Sequence, residues 1–259
     1  MASTRRRIDQ LLVDRGLAES RHKAQALLLA GQVLVNEQRV EKSGRLVDPD
    51  AGIRILSEMP FVSRAGAKLQ AALDFFGVAV AGRVCADLGA STGGFTDCLL
   101  QNGAADVHAY DVGTTQLVWK LRSDPRVVIH ERCNVRYLEA QDLPDQLSLL
   151  TIDLSFISLT KVLLPLKDAL QSKMAERNRG SEGACVDLIV LVKPQFEVGK
   201  GEVGKGGIVR DATKQRGAVI GIRKFAADAG FDVRGDFPSP VPGAKGNREF
   251  LLHLQFVPV

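Results

Sequence analysis

No apolar run in this chain approaches the ~20 residues that cross a bilayer as a helix, so a helical membrane protein is excluded. The N-terminus, Met1-Ala2-Ser3-Thr4-Arg5-Arg6-Arg7, is basic, but no apolar stretch follows, and no secretory signal is expected. Four cysteines (Cys85, Cys98, Cys133, Cys185) form no C-x-x-C pair and no metal-ligand spacing. They read as buried free thiols in a reducing compartment. The histidines, His22, His108, His130 and His253, are scattered, and no metal site is expected. There is no internal repeat. These absences point to a cytoplasmic protein without a membrane or metal partner.

What is present suits a globular chain. Its 259 residues allow one or two domains, and a 45% hydrophobic content supplies a core. The net charge of +4 is compatible with a polyanionic partner without demanding one.

Residues 1–57 read as a small α+β unit. Ile8, Leu11 and Leu12 form a helical stripe within Arg7–Arg15, and Gly16 is its stop. Ser20 is an N-cap for a second helix, which carries Ala24, Leu27 and Leu28 and ends at Gly31. Short strands are expected at 33–36, 45–47 and 53–56, with a turn at 48–52. Residues 58–62 read as a short linker.

From Ser63 to the end, strand and helix patterns alternate. Helices are expected at 63–76, 94–102, 159–170 and 211–229. Strands are expected at 84–87, 106–111, 127–130, 147–153, 186–193, 231–237 and 249–256. The polar stretch 171–183 reads as an exposed loop. Alternation of this kind predicts an α/β fold, a mostly parallel Rossmann-like sheet with helices on both faces.

The first strand runs into the glycine-rich turn Asp87-Leu88-Gly89-Ala90-Ser91-Thr92-Gly93-Gly94-Phe95. A dinucleotide fingerprint needs a glycine where Ser91 stands. The pattern D-x-G-x-x-x-G instead resembles motif I of S-adenosylmethionine-dependent methyltransferases. Asp111 lies 22 residues beyond Gly89, where an acid would accept from ribose hydroxyls. Asn134, after the third strand, is placed to reach an adenine edge. Asp87 and Asp111 each have a plainer reading, as turn cap and turn former. Later, Gly199–Gly206 has the outline of a phosphate-binding loop but ends in Gly206, not Ser or Thr. It reads better as a lid whose lysines touch RNA.

Four distant residues carry the chemistry. Asp153 and Lys193 end apolar strands, where open α/β sheets bind ligands. Lys68 lies on the helix before the first strand, and Glu249 begins the last strand. Methyl transfer to a ribose hydroxyl is an in-line displacement that needs late proton removal and alignment. A lysine serves as base when desolvation or a neighbouring cation lowers its pKa, and two carboxylates would hold two lysines in place. Any one of the four, taken alone, is equally a charged strand or helix terminus.

Two resemblances add to this reading. Arg7, Asp9, Leu11 and Leu12, Gly16-Leu17, Ser20-Arg21, Ala24, and Gly31, Val33, Val35-Asn36 resemble the S-four RNA-binding domain. That likeness implies that the two helices face RNA, with Arg5, Arg6, Arg7, Arg21, Lys23 and Arg39 as phosphate contacts. The order K…D…K…E, with Asp153-Leu154-Ser155-Phe156-Ile157-Ser158 and Lys193-Pro194-Gln195-Phe196-Glu197-Val198-Gly199-Lys200, resembles the FtsJ-like ribose methyltransferases. Joined to the N-terminal unit, it resembles the TlyA family, often labelled hemolysin A. The resemblance implies 2′-O-methylation of cytidine in ribosomal RNA, on naked rRNA or ribosomal subunits. It also implies Lys68, Asp153, Lys193 and Glu249 as catalytic residues, Lys193 being the expected base. Asp87, Gly89, Ser91, Thr92, Gly93, Gly94, Phe95, Asp111 and Asn134 are expected to hold S-adenosylmethionine. Two other classes stand beside this one: a ribosome-assembly factor with a vestigial methyltransferase fold, and a membrane-lytic protein. The intact tetrad disfavours the first, and the lack of membrane-active segments disfavours the second.

Overall fold

The computed structural model describes residues 5–29, 31–55, 60–177, 185–199 and 201–258. Two compact units divide the chain, Met1–Met59 and Pro60–Val259.

In the first unit, β1 (Arg6–Arg7) runs into α1 (Ile8–Asp14), followed by α2 (Arg21–Leu29), β2 (Val33–Val35), β3 (Gln38–Arg39), β4 (Leu46–Val47) and β5 (Ile53–Ile55). Ile8, Leu12, Ala24, Leu28 and Val33 are fully buried together, so the helical stripes meet as their spacing predicts. Lys23 N–H donates to Ser20 Oγ at 3.2 Å, the expected start of α2. Two elements differ from expectation. Arg7 belongs to β1, which pairs with β4, so the first helix begins at Ile8. Asn36 is a turn residue, not the end of a strand: Asn36 and Glu37 have φ of 48° and 62°, joining β2 to the unexpected β3. Two successive positive φ values give the turn whose twist matches a tight hairpin.

The second unit contains α3 (Arg64–Phe76), β6 (Val84–Leu88), α4 (Gly94–Gln101), β7 (Asp106–Tyr110), α5 (Trp119–Arg122) and β8 (Val127–His130). It continues with β9 (Leu147–Ile152), α6 (Thr160–Arg177), β10 (Val186–Val192), α7 (Pro194–Glu197), α8 (Ala212–Asp228), β11 (Asp232–Pro238) and β12 (Phe250–Phe256). Seven strands form one sheet in the order β11-β12-β10-β9-β6-β7-β8, in which β12 alone runs against the others. Leu188, Val190 and Val192 pack into one core with α6 and α8, while Ile189 and Leu191 pack into the other with α3 and α4. The strand period of two thus fills both faces from one apolar run. Among the described residues no helix is long and apolar enough to cross a membrane.

The stretch 171–183, expected as a loop, is helical as far as Arg177, and its remainder lies outside the described residues. Leu166, Leu170 and Met174, all fully buried, continue the α6 stripe at a spacing of four, which overrides the polarity around them. Of the expected linker, Glu58 and Met59 lie outside the described residues.

Candidate active site

The chain fills β6, β7 and β8 in order and then returns to place β9 beside β6. That reversal opens a crevice at the carboxyl ends of β6 and β9, the usual ligand position in such sheets. Gly89 and Asp153 flank it. Gly89 has φ of 93°, and a Cβ there would lie 2.5 Å from the Asp153 carbonyl oxygen, so both backbone conformation and space require glycine.

A cleft of about 360 Å³ opens from this point, with Gly89, Asp111, Val112, Cys133, Val135 and Phe156 among its walls. Asp111 accepts from Ser91 N–H at 2.8 Å and from Gly113 N–H at 2.7 Å. Ser91 has φ of 47°, a left-handed conformation that the Asp111 bond helps to hold. A carboxylate offers about four acceptor sites, so two remain for ligand hydroxyls. A polar floor, an acid at the β7 end and apolar walls fit the nucleoside part of S-adenosylmethionine.

Three expected cofactor contacts do not line this cleft. Asp87 has no exposed surface. It lies beneath the turn, accepting from Thr96 Oγ1 at 2.7 Å and Thr151 Oγ1 at 3.0 Å. Burial pushes its carboxyl up to about 6, against the pull of those two hydroxyls. The ring of Phe95 is 2% exposed and belongs to the core between α3 and α4. Asn134 is exposed and caps a short turn by accepting from Arg136 N–H, while its neighbours Cys133 and Val135 face the cleft.

A smaller basin of about 180 Å³ has Ser63, Thr92, Gly94 and Lys193 on its walls, and it shares Gly89, Ser91, Asp153 and Ser155 with the cleft. Register sets the tetrad, with Asp153 and Lys193 on the basin wall. Leu88 pairs with Ile152 across β6 and β9, and Val192 pairs with Phe250 across β10 and β12. Gly89, Asp153, Lys193 and Glu249 are each the next residue beyond those pairs. Lys68 reaches the group from α3, whose N-cap Ser63 accepts from Ala65 N–H at 3.3 Å.

The four side chains form two ion pairs. Lys68 Nζ lies 2.5 Å from Glu249 Oε2, and both residues are buried. Lys193 Nζ lies 2.6 Å from Asp153 Oδ1 and donates to Ser155 Oγ at 2.9 Å. Asp153 Oδ1 receives no well-aligned hydrogen bond, so its contact with Lys193 is an ionic one. The contacts thus set each lysine against a carboxylate.

Residues 61–256 match the FtsJ-like methyltransferase family, and residues 6–53 match the S4 domain. The chain belongs to the FtsJ-like methyltransferase family. It is 44% identical to the 16S/23S rRNA (cytidine-2′-O)-methyltransferase TlyA of Mycobacterium tuberculosis, over 97% of this chain and 90% of that protein. It is 40% identical to Hemolysin A of Brachyspira hyodysenteriae, over 96% of this chain and 99% of that protein. A solved structure from Streptococcus thermophilus, provisionally named a hemolysin, is 42% identical with a TM-score of 0.70, covering 98% of this chain and 89% of that one.

The S4 unit shows how its expected RNA contacts are held. Arg5, Arg6, Arg7, Arg21, Lys23 and Arg39 are all exposed. Arg7 and Arg21 both point their guanidinium groups at Asp9, at 3.0 and 2.9 Å, and Gln25 donates to the same carboxylate. Asp9 is fully buried, and chiefly the Arg7 hydrogen bond holds its carboxyl well below the usual range. Arg6 pairs with Asp14.

Sequence reasoning missed Ser155 and Phe156 as site residues. Phe156 is 91% exposed at the cleft, with φ of 66° and its ring 5.2 Å from that of Phe196. The signal was the Ser155-Phe156 pair that follows almost directly on the Asp153 strand end.

Proposed function

We propose that this chain methylates the 2′-hydroxyl of a cytidine ribose in ribosomal RNA, with S-adenosylmethionine as donor. The observation that carries this reading is the shared wall of cleft and basin, where Gly89, Ser91, Asp153 and Ser155 border both and Lys193 borders the basin. A donor in the cleft and a hydroxyl in the basin would meet at that wall.

S-adenosylmethionine, when bound, supplies a methyl group on a sulfonium that needs no further activation. The chain's own residues then have to orient the hydroxyl and receive its proton. Lys193 Nζ, on the basin wall, would take up the hydroxyl proton as the bound donor gives up its methyl group. Asp153 and Ser155 fix that nitrogen, and Lys193 borders the basin, whereas Lys68 is committed to Glu249. Lys68 and Glu249 form the rear support. Phe156 offers an exposed ring on which an unstacked base can rest, as in single-strand recognition generally. The six basic residues of the S4 unit supply affinity through phosphates, and the base and ribose contacts supply the site. The cytidine and the ribosomal substrate come from the names of the relatives.

The test is incubation with methyl-labelled S-adenosylmethionine and each unmodified ribosomal subunit separately. The expected product is labelled rRNA whose modified nucleotide resists alkali, because a methylated 2′-oxygen cannot attack the neighbouring phosphate. Lys193→Ala is expected to lose turnover while still binding cofactor. Tight subunit binding without label would favour an assembly factor, and near-normal turnover by Lys193→Ala would remove it as base.

A further inference from the structure

The loop that leaves β9 carries Asp153, Ser155 and Phe156, and the segment that leaves β10 carries Lys193. Lys193 joins the two near the sheet, through Asp153 and Ser155. A second junction lies farther out. Lys193 is the N-cap of α7, and Glu197 is the last residue of that single turn, with Phe196 N–H bonded to Lys193 O at 2.9 Å. The Glu197 carboxylate accepts from Ser158 Oγ at 2.6 Å and from Leu159 N–H at 3.0 Å. It therefore ties the far end of the Asp153 loop to the turn that begins at Lys193.

Three features separate this junction from ordinary surface bonding. Phe156, midway between the two junctions, has φ of 66°, and a bulky residue keeps such a conformation only where its surroundings over-determine it. Behind Glu197 lies a cavity of about 630 Å³ bordered by Thr160, Thr213, Gly217 and Phe225. Leu154, Ile157 and Leu159 anchor one side of the loop on the core, and the Glu197 hydrogen bonds fix its polar side beside this cavity. Finally, burial pushes the Glu197 carboxyl above its usual range, against the pull of the Ser158 and Leu159 hydrogen bonds.

We propose that Glu197 is a positioning residue for methyl transfer: through Ser158 and Leu159 it sets the loop of Asp153, Ser155 and Phe156 against Lys193. This rests on the reading of the site as a methyltransferase. Glu197 touches neither reacting atom in that reading and acts through the loop alone.

The experiment compares full-length wild type, Glu197→Ala, Glu197→Gln and Ser158→Ala. Cofactor affinity is measured by calorimetry, and single-turnover methyl transfer to the ribosomal substrate is normalised to cofactor-binding sites. A loop displaced by about an ångström costs on the order of 100-fold in rate. Glu197→Ala is expected to lose roughly 30- to 100-fold in kcat, with cofactor affinity within about threefold, because Asp111 and the glycine turn are untouched. Glu197→Gln keeps one acceptor oxygen and should recover part of the rate, and Ser158→Ala, which leaves the Leu159 bond, should lose about 3- to 10-fold. A change in stability alone would not move a rate counted per cofactor-binding site. Should Glu197→Ala fail to fold, Glu197→Gln and Ser158→Ala carry the same comparison. Rates within threefold of wild type in both would overturn the proposal, as would an equal fall in rate and cofactor affinity. Absence of transfer by the wild-type protein would instead overturn the functional reading itself.

Discussion

Gly243 offers a sharp test of whether the Lys68–Glu249 pair serves catalysis. A Cβ at this position would lie 1.9 Å from Glu249 Oε1 and 2.3 Å from its Cδ. Non-bonded carbon and oxygen stay about 3.3 Å apart or more, so Gly243→Ala forces the carboxylate back by roughly 1.4 Å. A shift of that size is enough to carry Oε2, now 2.5 Å from Lys68 Nζ, beyond hydrogen-bond reach. Backbone strain is not the issue, since φ of Gly243 is outside the left-handed region. Overpacking costs about 1–3 kcal/mol, and the lower unfolded-state entropy of alanine offsets about 0.4–1 kcal/mol of it. The net loss, at most about 2.6 kcal/mol, lowers Tm by no more than about 10 °C in a unit of this size, so the protein stays folded at 25 °C. Catalysis should suffer far more, on the order of 100-fold in kcat, because a supporting carboxylate has moved by about an ångström. Single-turnover methyl transfer and cofactor calorimetry on the same preparation decide it. If Gly243→Ala kept its rate within threefold of wild type, Glu249 would be a structural counter-ion and the tetrad would shrink to Lys193 and Asp153.

Two further outcomes follow from the charged groups. Asp111→Ala leaves Ser91 N–H and Gly113 N–H without their acceptor and removes the proposed ribose contact, so cofactor affinity should fall about 10- to 100-fold, at about 1.5–3 kcal/mol per bond to a charged group. Calorimetry showing less than a threefold change would place the ribose elsewhere. Asp9, in the S4 unit, has its carboxyl held low, chiefly by Arg7, so the unfolded chain takes up its proton first as pH falls. Its stabilising contribution is therefore complete above the ordinary carboxylate range, about pH 4 to 5, and is lost towards more acid pH. Native-state hydrogen exchange over α1 and α2 should show Asp9→Asn weaker at pH 7 and flatter towards pH 3, and parallel profiles for the two proteins would refute this role.

Much of the site could be read from the sequence because strand ends are local events. Asp153 and Lys193 stand where apolar runs stop, and Gly89 stands where a strand must turn. What was not legible is which partners the side chains choose. Nothing near Lys68 in sequence indicates Glu249, which comes from a strand 181 positions away. Asp87 looked like a cofactor ligand by its motif position, but two threonines draw it beneath the turn. Helix α6 outran its expected end because Met174, in a polar stretch, completes a stripe visible only when the core is known. The Asn36-Glu37 hairpin was hidden for a different reason: it lacks the glycine that normally marks such a turn.

The assembly of the tetrad shows why core patterning and the placement of these four side chains are not separable. Val192 opposes Phe250, so the next positions on the two antiparallel strands are Lys193 and Glu249. Slipping β12 by one residue would turn every one of its side chains to the other face of the sheet. Leu251 would leave the core shared with Ile189 and Leu191, and Leu252 and Leu254 would leave the opposite one. Burying or exposing such a side chain is worth about 1.5–3 kcal/mol each, so the slip is heavily disfavoured. The same apolar alternation that holds the sheet together therefore fixes which way Glu249 points. Lys68 can find its partner only because leucines far from the chemistry cannot change sides.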